Sequence, residues 1–579
     1  MSMKNSRKYS ELYFQFFSVV IISLCSIVLL IRSFYSFSWS DESFYLTIVH
    51  RFWLGERILQ DEWYTTQLST PLLLPFYSFF EWITGGNEGI YLYYRIIYWG
   101  ISTVTAFLIF FKLKRWNKTT AALFSGIIYL LYSRANIGGM SYYNMTLTLV
   151  LISTVLVYDQ IMAKQSQKGI LLLTGVLLAL AVVNTPYLVI PYIMIALFLL
   201  LSKKYRFLWR KVMLVFIGMG ITAIAYMAYV LSKTSLEEIL LNIPYILNEP
   251  ELQNTNPILA IPIMFARIAW RYRWTIIIYA VDILFLCYKI RKKQNISQMT
   301  GKVIFGSNMA IFIVNYFLSA NMIGCVNIAF VLFGILLLLY IREWNKDDQV
   351  IIETFGIAGV SVVFSFAFSS DTGLDAMTIG FVILAIAMVL ILLKNVKINE
   401  NRCCWHIIVA VISFILLQSA FLRVVSVYRD APLWELDTQI TAGPGKYLYT
   451  TQKHEEQYND LLNDIKQYVR TEDRVLYSKN CFWGYLCTDN EYATPSSWRM
   501  SMDSPRLEEY FTLNPEKYPT CVFVLKPEYG NFESSYIQNN ERADIPNQNQ
   551  LQGFLYNYIQ KNNYEVIEAE SAFIFRKRA

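Results

Sequence analysis

The sequence predicts a polytopic α-helical membrane protein, with about thirteen transmembrane helices followed by an α/β domain outside the membrane. Of its 579 residues, 55% are hydrophobic and only 16% are charged, which is too apolar for a soluble chain of this length. Apolar runs long enough to cross a bilayer recur as far as residue 425, and the remaining residues carry none. We therefore predict a transmembrane domain at 1–425 and a soluble domain at 426–579.

The first apolar run, 13–34, is longer than the core of a signal peptide and lacks a small-residue cleavage site. It is predicted to be a retained membrane span. The later candidate spans are 91–113, 119–133, 142–162, 168–184, 187–201, 212–231, 274–290, 302–319, 324–341, 350–368, 377–393 and 406–425.

Basic residues occur in alternate connections between these spans, which is the pattern that sets membrane orientation. The pattern predicts a cytoplasmic N-terminus and, with an odd number of spans, an extracytoplasmic C-terminal domain in a multi-pass protein of the cell membrane. The net charge of +7 therefore reports orientation and does not suggest nucleic-acid binding. The basic clusters lie at 4–8, 112–118, 164–168, 203–211, 289–293, 342–346 and 394–402.

The first outer connection, 38–89, is unusually long and begins with two adjacent acids. Apolar residues recur after them at helical spacing, which predicts a short helix on the bilayer surface, capped by Ser38 or Ser40. Asp41 and Glu42 then fall in its first turn, where a helix stabilises negative charge, as suits catalytic proton acceptors. They could equally be ordinary first-turn residues of an interfacial helix.

The rest of this connection predicts a second interfacial helix and a polar segment. Residues 71–83 are too few, and too broken by proline, to form a span. The polar segment 60–70 precedes them, and we expect its Asp61, Glu62 and Gln67 to contact sugar or acceptor.

A bound metal would need carboxylate ligands, because three histidines and eight cysteines show no metal-binding spacing. The acids of the first connection could supply oxygen ligands for Mg or Mn, or they could simply be solvated. They are Asp41, Glu42, Asp61 and Glu62.

Polar and aromatic residues also mark the outer ends of later spans. Tyr142, Tyr143 and Asn144 open the fourth span, and Tyr187 lies in the turn before the sixth. Aromatic rings beside amides suit a carbohydrate, although tyrosine is also an ordinary interfacial anchor.

Arginines on the outer side need a separate explanation, because few are expected there. Arg267 and Arg271 lie four residues apart on one helical face of the second long outer connection. They could bind a lipid phosphate or extend along an interfacial helix toward water.

The C-terminal residues show the alternation of one small α/β domain. Helices are predicted at 453–469 and 549–560, strands at 473–478 and 520–526, and a hairpin at 564–576. The six-residue spacing of Cys481 and Cys487 leaves open whether they are bonded.

Taken together, the first span, the Asp41-Glu42 pair on a juxtamembrane helix, the second juxtamembrane helix and the arginine of the second span resemble the polytopic GT-C glycosyltransferases. The closest branch contains the protein O-mannosyltransferases and the lipid A aminoarabinose transferases, and the resemblance covers roughly 10–231. It implies that Asp41 is the catalytic base and that Arg95 corresponds to the family's second-span arginine.

One segment departs from the family's pattern. Members typically carry a basic or histidine-containing Pro-Pro-Leu segment where this chain has Gln-Leu-Ser-Thr-Pro-Leu at 67–72. Contacts with the donor phosphate are therefore expected from arginines elsewhere, the candidates being Arg95, Arg134, Arg267 and Arg271.

The resemblance implies transfer of a sugar from a polyprenyl-phosphate donor to an acceptor hydroxyl on a protein, a wall polymer or a glycolipid. A flippase or transporter of lipid-linked glycans is the alternative, and a membrane scaffold is a third. Against transport, polar residues concentrate in the outer connections, and no pair of broken spans suggests an inverted repeat.

Overall fold

Most of the predicted spans are helices in the computed structural model. Among the described residues, seven helices are long and apolar enough to cross a membrane: Tyr9–Arg32, Ile90–Leu113, Tyr142–Met162, Trp209–Lys233, Lys346–Ser369, Ala376–Asn395 and Trp405–Val425. Three shorter apolar helices accompany them at Thr119–Leu131, Lys168–Asn184 and Pro186–Leu201. The chain is therefore a multi-pass membrane protein, as predicted. The described residues are 3–163, 166–247, 273–292, 345–369, 374–395, 402–477, 481–497, 506–526, 529 and 553–578, with short stretches within 262–270, 294–304 and 328–336.

The described helices agree closely with the apolar pattern. The predicted spans 142–162 and 168–184 match their helices at both ends, and 274–290 lies within a helix one residue longer at each end. Predicted spans 302–319 and 324–341 lie largely outside the described residues. The α-helices are α1 (Met3–Arg32), α2 (Asp41–Trp53), α3 (Thr70–Thr84), α4 (Ile90–Leu113), α5 (Thr119–Leu131), α6 (Tyr142–Met162), α7 (Lys168–Asn184), α8 (Val189–Leu201), α9 (Trp209–Lys233), α10 (Leu236–Leu247), α11 (Arg273–Arg291), α12 (Lys346–Ile351), α13 (Ile357–Ser369), α14 (Leu374–Asn395), α15 (Arg402–Val425), α16 (Gln452–Tyr468), α17 (Arg506–Leu513) and α18 (Gly553–Lys561).

Large apolar side chains on the outside of the helix bundle indicate a lipid-facing surface. Tyr13, Leu201 and Ile224 are 73%, 83% and 73% exposed, which a soluble protein would not tolerate along whole helices. Within the bundle, α7 and α9 pack so closely that a Cβ on Gly175 would lie 2.0 Å from the carbonyl oxygen of Val215.

The connection between α1 and α4 contains two helices, as predicted. Ser40 caps α2 and accepts a hydrogen bond from the backbone of Asp41, so both acids lie in the first turn. Pro71 is compatible with the start of α3, where a missing N–H costs nothing. Phe79 and Trp82 of α3 are 52% and 80% exposed, consistent with a helix at the membrane interface.

The C-terminal residues form a five-stranded mixed sheet, as the alternation of strands and helices predicted. Strand β3 is parallel to β4 and β5, whereas β7 is antiparallel to β5 and β6, giving the order β4-β3-β5-β7-β6. A separate two-stranded sheet pairs β1 with β2. The strands are β1 (Thr438–Gln439), β2 (Tyr449–Thr450), β3 (Arg474–Tyr477), β4 (Glu491–Tyr492), β5 (Cys521–Leu525), β6 (Tyr564–Glu568) and β7 (Ala572–Lys577).

This sheet domain packs directly on the α1–α4 connection. Phe37 contacts Tyr458 and Trp483 edge to face, with ring centroids 5.1 Å and 5.6 Å apart. Tyr458 and Trp483 stack on each other at 4.3 Å. The domain therefore shares a buried core with the segment that carries Asp41. Its Cys481 and Cys487 are free thiols.

Candidate active site

One oxygen of the Asp41 carboxylate is held by hydrogen bonds, and the other is not. Its Oδ2 accepts hydrogen bonds from Ser40 Oγ at 2.8 Å and from the Tyr428 hydroxyl. Arg429 in turn donates to Ser40 Oγ at 2.7 Å. Oδ1 accepts no hydrogen bond from the described residues, and the side chain is only partly buried. This arrangement leaves one oxygen able to accept a proton from a substrate.

An aromatic wall lies beside Asp41. Tyr45 meets Tyr142 edge to face with centroids 5.8 Å apart, and Tyr142 lies 3.9 Å from Tyr143. The guanidinium of Arg134 lies 3.6 Å above the ring of Tyr143 and is close enough to interact with Asp41. Arg134, a predicted site residue, thus lies near the candidate base, and Tyr142 and Tyr143 are connected to it through Tyr45 and Arg134.

Burial, with a smaller contribution from the Asp41 carboxylate, raises the pKa of Tyr45 well above its ordinary value. Tyr45 is therefore a neutral phenol at physiological pH. Aromatic rings beside hydroxyl groups suit a carbohydrate, but Tyr45 and Tyr143 are only 8% and 4% exposed. Sugar binding by this wall therefore stays a prediction.

Glu42 and Arg95, both predicted site residues, form a buried ion pair with each other. Arg95 Nε and an Nη donate to the two Glu42 carboxylate oxygens at 2.8 Å and 2.6 Å. The other Nη of Arg95 donates to the carbonyls of Ser33 and Tyr35. Gly139 lies against the pair, because a Cβ there would be 3.1 Å from Glu42 Oε1. Glu42 is therefore already neutralised and Arg95 is largely occupied, and their roles in catalysis and phosphate binding stay predictions.

A small basic cavity lies next to Asp41. It measures about 30 Å³, and Tyr428 lines it as well as bonding to Asp41. Arg32, Arg95 and Arg423 contribute three guanidinium groups to the lining, against the single carboxylate of Glu42. The lining is therefore net positive, which favours an anion.

Arg423 is the lining arginine best suited to a ligand. Arg32 is occupied by the carbonyls of Val424, Tyr35 and Ser426. Arg423 is 7% exposed, and its Nε has no hydrogen-bond partner in the described part of the chain. A buried guanidinium N–H without an acceptor is costly, so an incoming anion would be stabilised there.

Asp61, Glu62 and Gln67 belong to a different cluster near the end of α2, and their predicted contact with sugar or acceptor stays a prediction. Asp61 lies beside Arg57 and Lys517, while Glu62 receives a hydrogen bond from Arg51 at 3.0 Å. Gln67 donates to the Glu62 carbonyl at 2.6 Å and accepts from the Leu59 amide. The sequence shows their polarity but not the buried cations that neutralise the two acids.

Two further predicted site residues are Asn144 and Tyr187. Asn144 donates both amide protons to the carbonyls of Ile137 and Gly139, so it holds the loop against Glu42. Tyr187 lies in the short 3-10 helix Pro186–Leu188. Their roles in sugar binding stay predictions.

Of the two arginines predicted in the second long outer connection, Arg267 lies among the described residues. The side chain of Arg267 is exposed. Arg271 lies outside the described residues. Phosphate binding by this pair also stays a prediction.

The four acids proposed as Mg or Mn ligands do not converge. Asp41 and Glu42 lie at the start of α2, and Glu62 is paired with Arg51, beyond its other end. Within the described ranges, no group of three or more histidine, cysteine or acidic side chains could hold a metal ion. Among the described residues these four acids therefore do not share one site, and binding of Mg or Mn stays a prediction.

Sequence reasoning missed the residues contributed by the end of the last span. Tyr428 and Asp41 are 387 positions apart, and no local pattern links them. The available signal was charge: Arg32 and Arg423 both lie at span ends where the orientation pattern predicts few cations. Charged groups at such positions usually have a functional reason.

The chain was compared with protein-family models, curated sequences and solved structures, and only solved structures match. No protein-family model and no curated protein sequence matches the chain. Among solved structures, it is similar to ArnT from Cupriavidus metallidurans bound to undecaprenyl phosphate, with a TM-score of 0.53 and 9% identity over 97% of this chain and 98% of that one. It is also similar to the Archaeoglobus fulgidus oligosaccharyltransferase in complex with Zn and sulfate, with a TM-score of 0.50 and 10% identity over 97% and 73%. The chain has the fold of the GT-C glycosyltransferases.

Proposed function

We propose that this protein is a membrane glycosyltransferase that moves a hexose or pentose from a polyprenyl-phosphate donor to an acceptor hydroxyl on the extracytoplasmic face. The observation that carries the proposal is the partly open Asp41 carboxylate beside a basic cavity. The ArnT structure contains undecaprenyl phosphate, which supports a donor of this chemical class. The acceptor is a protein, a wall polymer or a glycolipid.

In the proposed reaction, Asp41 Oδ1 accepts the proton of the acceptor hydroxyl as that oxygen attacks the anomeric carbon. The bond between this carbon and the phosphate oxygen breaks, and the lipid phosphate leaves with the electron pair. A single displacement inverts the anomeric centre, so no covalent enzyme intermediate is required. A positioned base of this kind contributes typically about 10²–10⁴-fold in rate.

Charge that develops on the departing phosphate needs fixed donors. Arg423 is proposed to supply them, because its Nε is buried and has no hydrogen-bond partner among the described residues. Arg134, whose guanidinium lies 3.6 Å from the centroid of the Tyr143 ring, is a second candidate. Arg95 acts indirectly in this scheme, since it fixes Glu42 and the loop around Gly139.

No step of this proposal requires a metal ion held by Asp61 or Glu62, because those acids are engaged elsewhere. A divalent cation carried in by the donor phosphate is compatible with the scheme, and Mg and Mn remain the expected candidates. Transfer measured with and without a chelator shows whether the reaction depends on a divalent cation.

The proposal is tested by reconstituting the protein in proteoliposomes with radiolabelled polyprenyl-phosphate sugars and envelope extracts as acceptors. The expected result is a new glycosidic product together with free polyprenyl phosphate. Movement of intact lipid-linked sugar across the bilayer without such a product would instead identify a flippase. Mass spectrometry of lipid-linked sugars that accumulate in a deletion strain would identify the donor.

Arg423→Met tests the phosphate site in the same assay. The thioether side chain retains apolar volume and removes the charge, so the donor KM is expected to rise about tenfold or more. Arg57→Met is the matched control, because Arg57 is partly exposed and lies in the cluster beyond α2. An unchanged donor KM for Arg423→Met would remove Arg423 from the phosphate site.

A further inference from the structure

We propose that Tyr428 is a positioning residue that holds the Asp41 carboxylate with Oδ1 presented to the acceptor. This inference rests on the proposed function, because it assigns Tyr428 a task only if Asp41 is the base. It concerns the segment that joins the last span to the sheet domain, which no part of the sequence reasoning connected with catalysis.

Three consecutive residues of this segment contact the residues that lead into α2. Tyr428 donates to Asp41 Oδ2, Arg429 donates to Ser40 Oγ, and Asp430 accepts from the Phe37 amide at 2.8 Å. The order of contacts is antiparallel, so the two segments lie side by side. The segment 428–430 therefore clamps the start of α2.

Further contacts of Arg429 and Asp430 hold the segment 428–430 in place. Arg429 also lies 5.5 Å from the ring of Trp39, a distance typical of a cation–π contact. Asp430 accepts further hydrogen bonds from Thr450 and interacts with His454 at 2.8 Å. Through Thr450 and His454, the sheet domain determines where Tyr428 lies.

The hydroxyl of Tyr428 is a dependable donor. Burial, reinforced by the Asp41 carboxylate, raises the pKa of Tyr428 well above its ordinary value. It therefore keeps its proton at physiological pH and donates it to Oδ2. A hydrogen bond to a charged group is stronger than one between neutral groups.

This bond has a catalytic consequence because only one carboxylate oxygen is needed as the base. With Oδ2 held by Ser40 and Tyr428, Oδ1 is the carboxylate oxygen that accepts no hydrogen bond from the described residues. Without Tyr428, Ser40 alone restrains the carboxylate, which can then rotate out of line with the acceptor hydroxyl. Misplacement of a reacting group by about 1 Å can cost about 100-fold in rate.

Tyr428→Phe tests the inference, since it removes one hydroxyl and keeps the ring. We expect kcat to fall about ten- to a hundredfold, with the KM and dissociation constant of the donor unchanged. Tyr447→Phe is the control, because the Tyr447 ring lies in the same domain and is 47% exposed. This variant should retain full activity. A role limited to folding would instead lower the donor-binding fraction and leave the kcat of the bound fraction unchanged.

Asp41→Asn, assayed in parallel, separates this inference from the proposed function. If Asp41→Asn abolishes transfer and Tyr428→Phe turns over within twofold of wild type, the positioning role is wrong and the base assignment stands. If Asp41→Asn retains normal turnover, the base assignment itself fails. Loss of donor binding in Tyr428→Phe would also contradict the inference, because it predicts intact binding.

Discussion

Replacing Glu42 with glutamine should destabilise the protein strongly, because it leaves Arg95 buried without its counter-charge. Both side chains are about 5% exposed, and the two hydrogen bonds between them measure 2.6 Å and 2.8 Å. A glutamine amide would also turn an NH₂ group toward one of the Arg95 donors. The sequence alone suggested Glu42 as a second catalytic proton acceptor, and the structure shows it paired with Arg95.

The magnitude follows from the burial of the pair. Removing one partner of a buried ion pair typically costs about 3–5 kcal/mol, whereas an exposed pair contributes about 0–1 kcal/mol. Glu88→Gln is therefore a suitable comparison, since Glu88 and Lys446 are also 2.8 Å apart but 53% and 28% exposed. The two variants make the same chemical change in opposite environments.

The assay is denaturant-induced unfolding in mixed micelles, followed by tryptophan fluorescence, for both variants and for Glu42→Gln/Arg95→Met. Glu42→Gln should lose several kcal/mol of unfolding free energy and Glu88→Gln less than about 1 kcal/mol. The double variant should recover much of the loss, because it removes both charges. If Glu42→Gln and Glu88→Gln were equally stable, the reasoning from the buried ion pair would be wrong.

Two further predictions concern the contact between α2 and the sheet domain. Burial lowers the pKa of His50 to about 4, so between that pH and 6.5 the unfolded chain binds a proton that the folded protein does not. As the pH is lowered through this range, the unfolding free energy should decrease by on the order of 1.4 kcal/mol per pH unit. His50→Gln should flatten this dependence in denaturant titrations at pH 6.5, 5.5 and 4.5. Arg51→Met should leave the fully buried Glu62 without its counter-charge and increase limited proteolysis of the sheet domain. Arg57→Met is the control, because Arg57 and its partner Glu238 are both 36% exposed, and it should leave the digestion pattern unchanged.

The membrane helices and the start of α2 were predictable because their causes are local. Continuous apolar runs identify spans, and a serine followed by two acids identifies a capped helix start, as Ser40 and Asp41 show. The sheet domain was likewise predictable from alternating apolar residues. These features depend on residues within about one helical turn or one strand of each other.

The composition of the site was less predictable because it depends on contacts between distant segments. Asp61 and Glu62 have the polarity of substrate-binding residues, but Lys517 and Arg51 neutralise them. Conversely, Tyr428 follows the last span with no local feature that marks it, yet it touches Asp41. Only the packing of the sheet domain on the first connection decides these roles.

The most direct test of the central claim is the single-turnover rate of Asp41→Asn with the donor already bound. The proposed base role predicts a donor dissociation constant equal to that of the wild type and a transfer rate about 10²–10⁴-fold lower. A transfer rate within a few-fold of the wild-type value would contradict it.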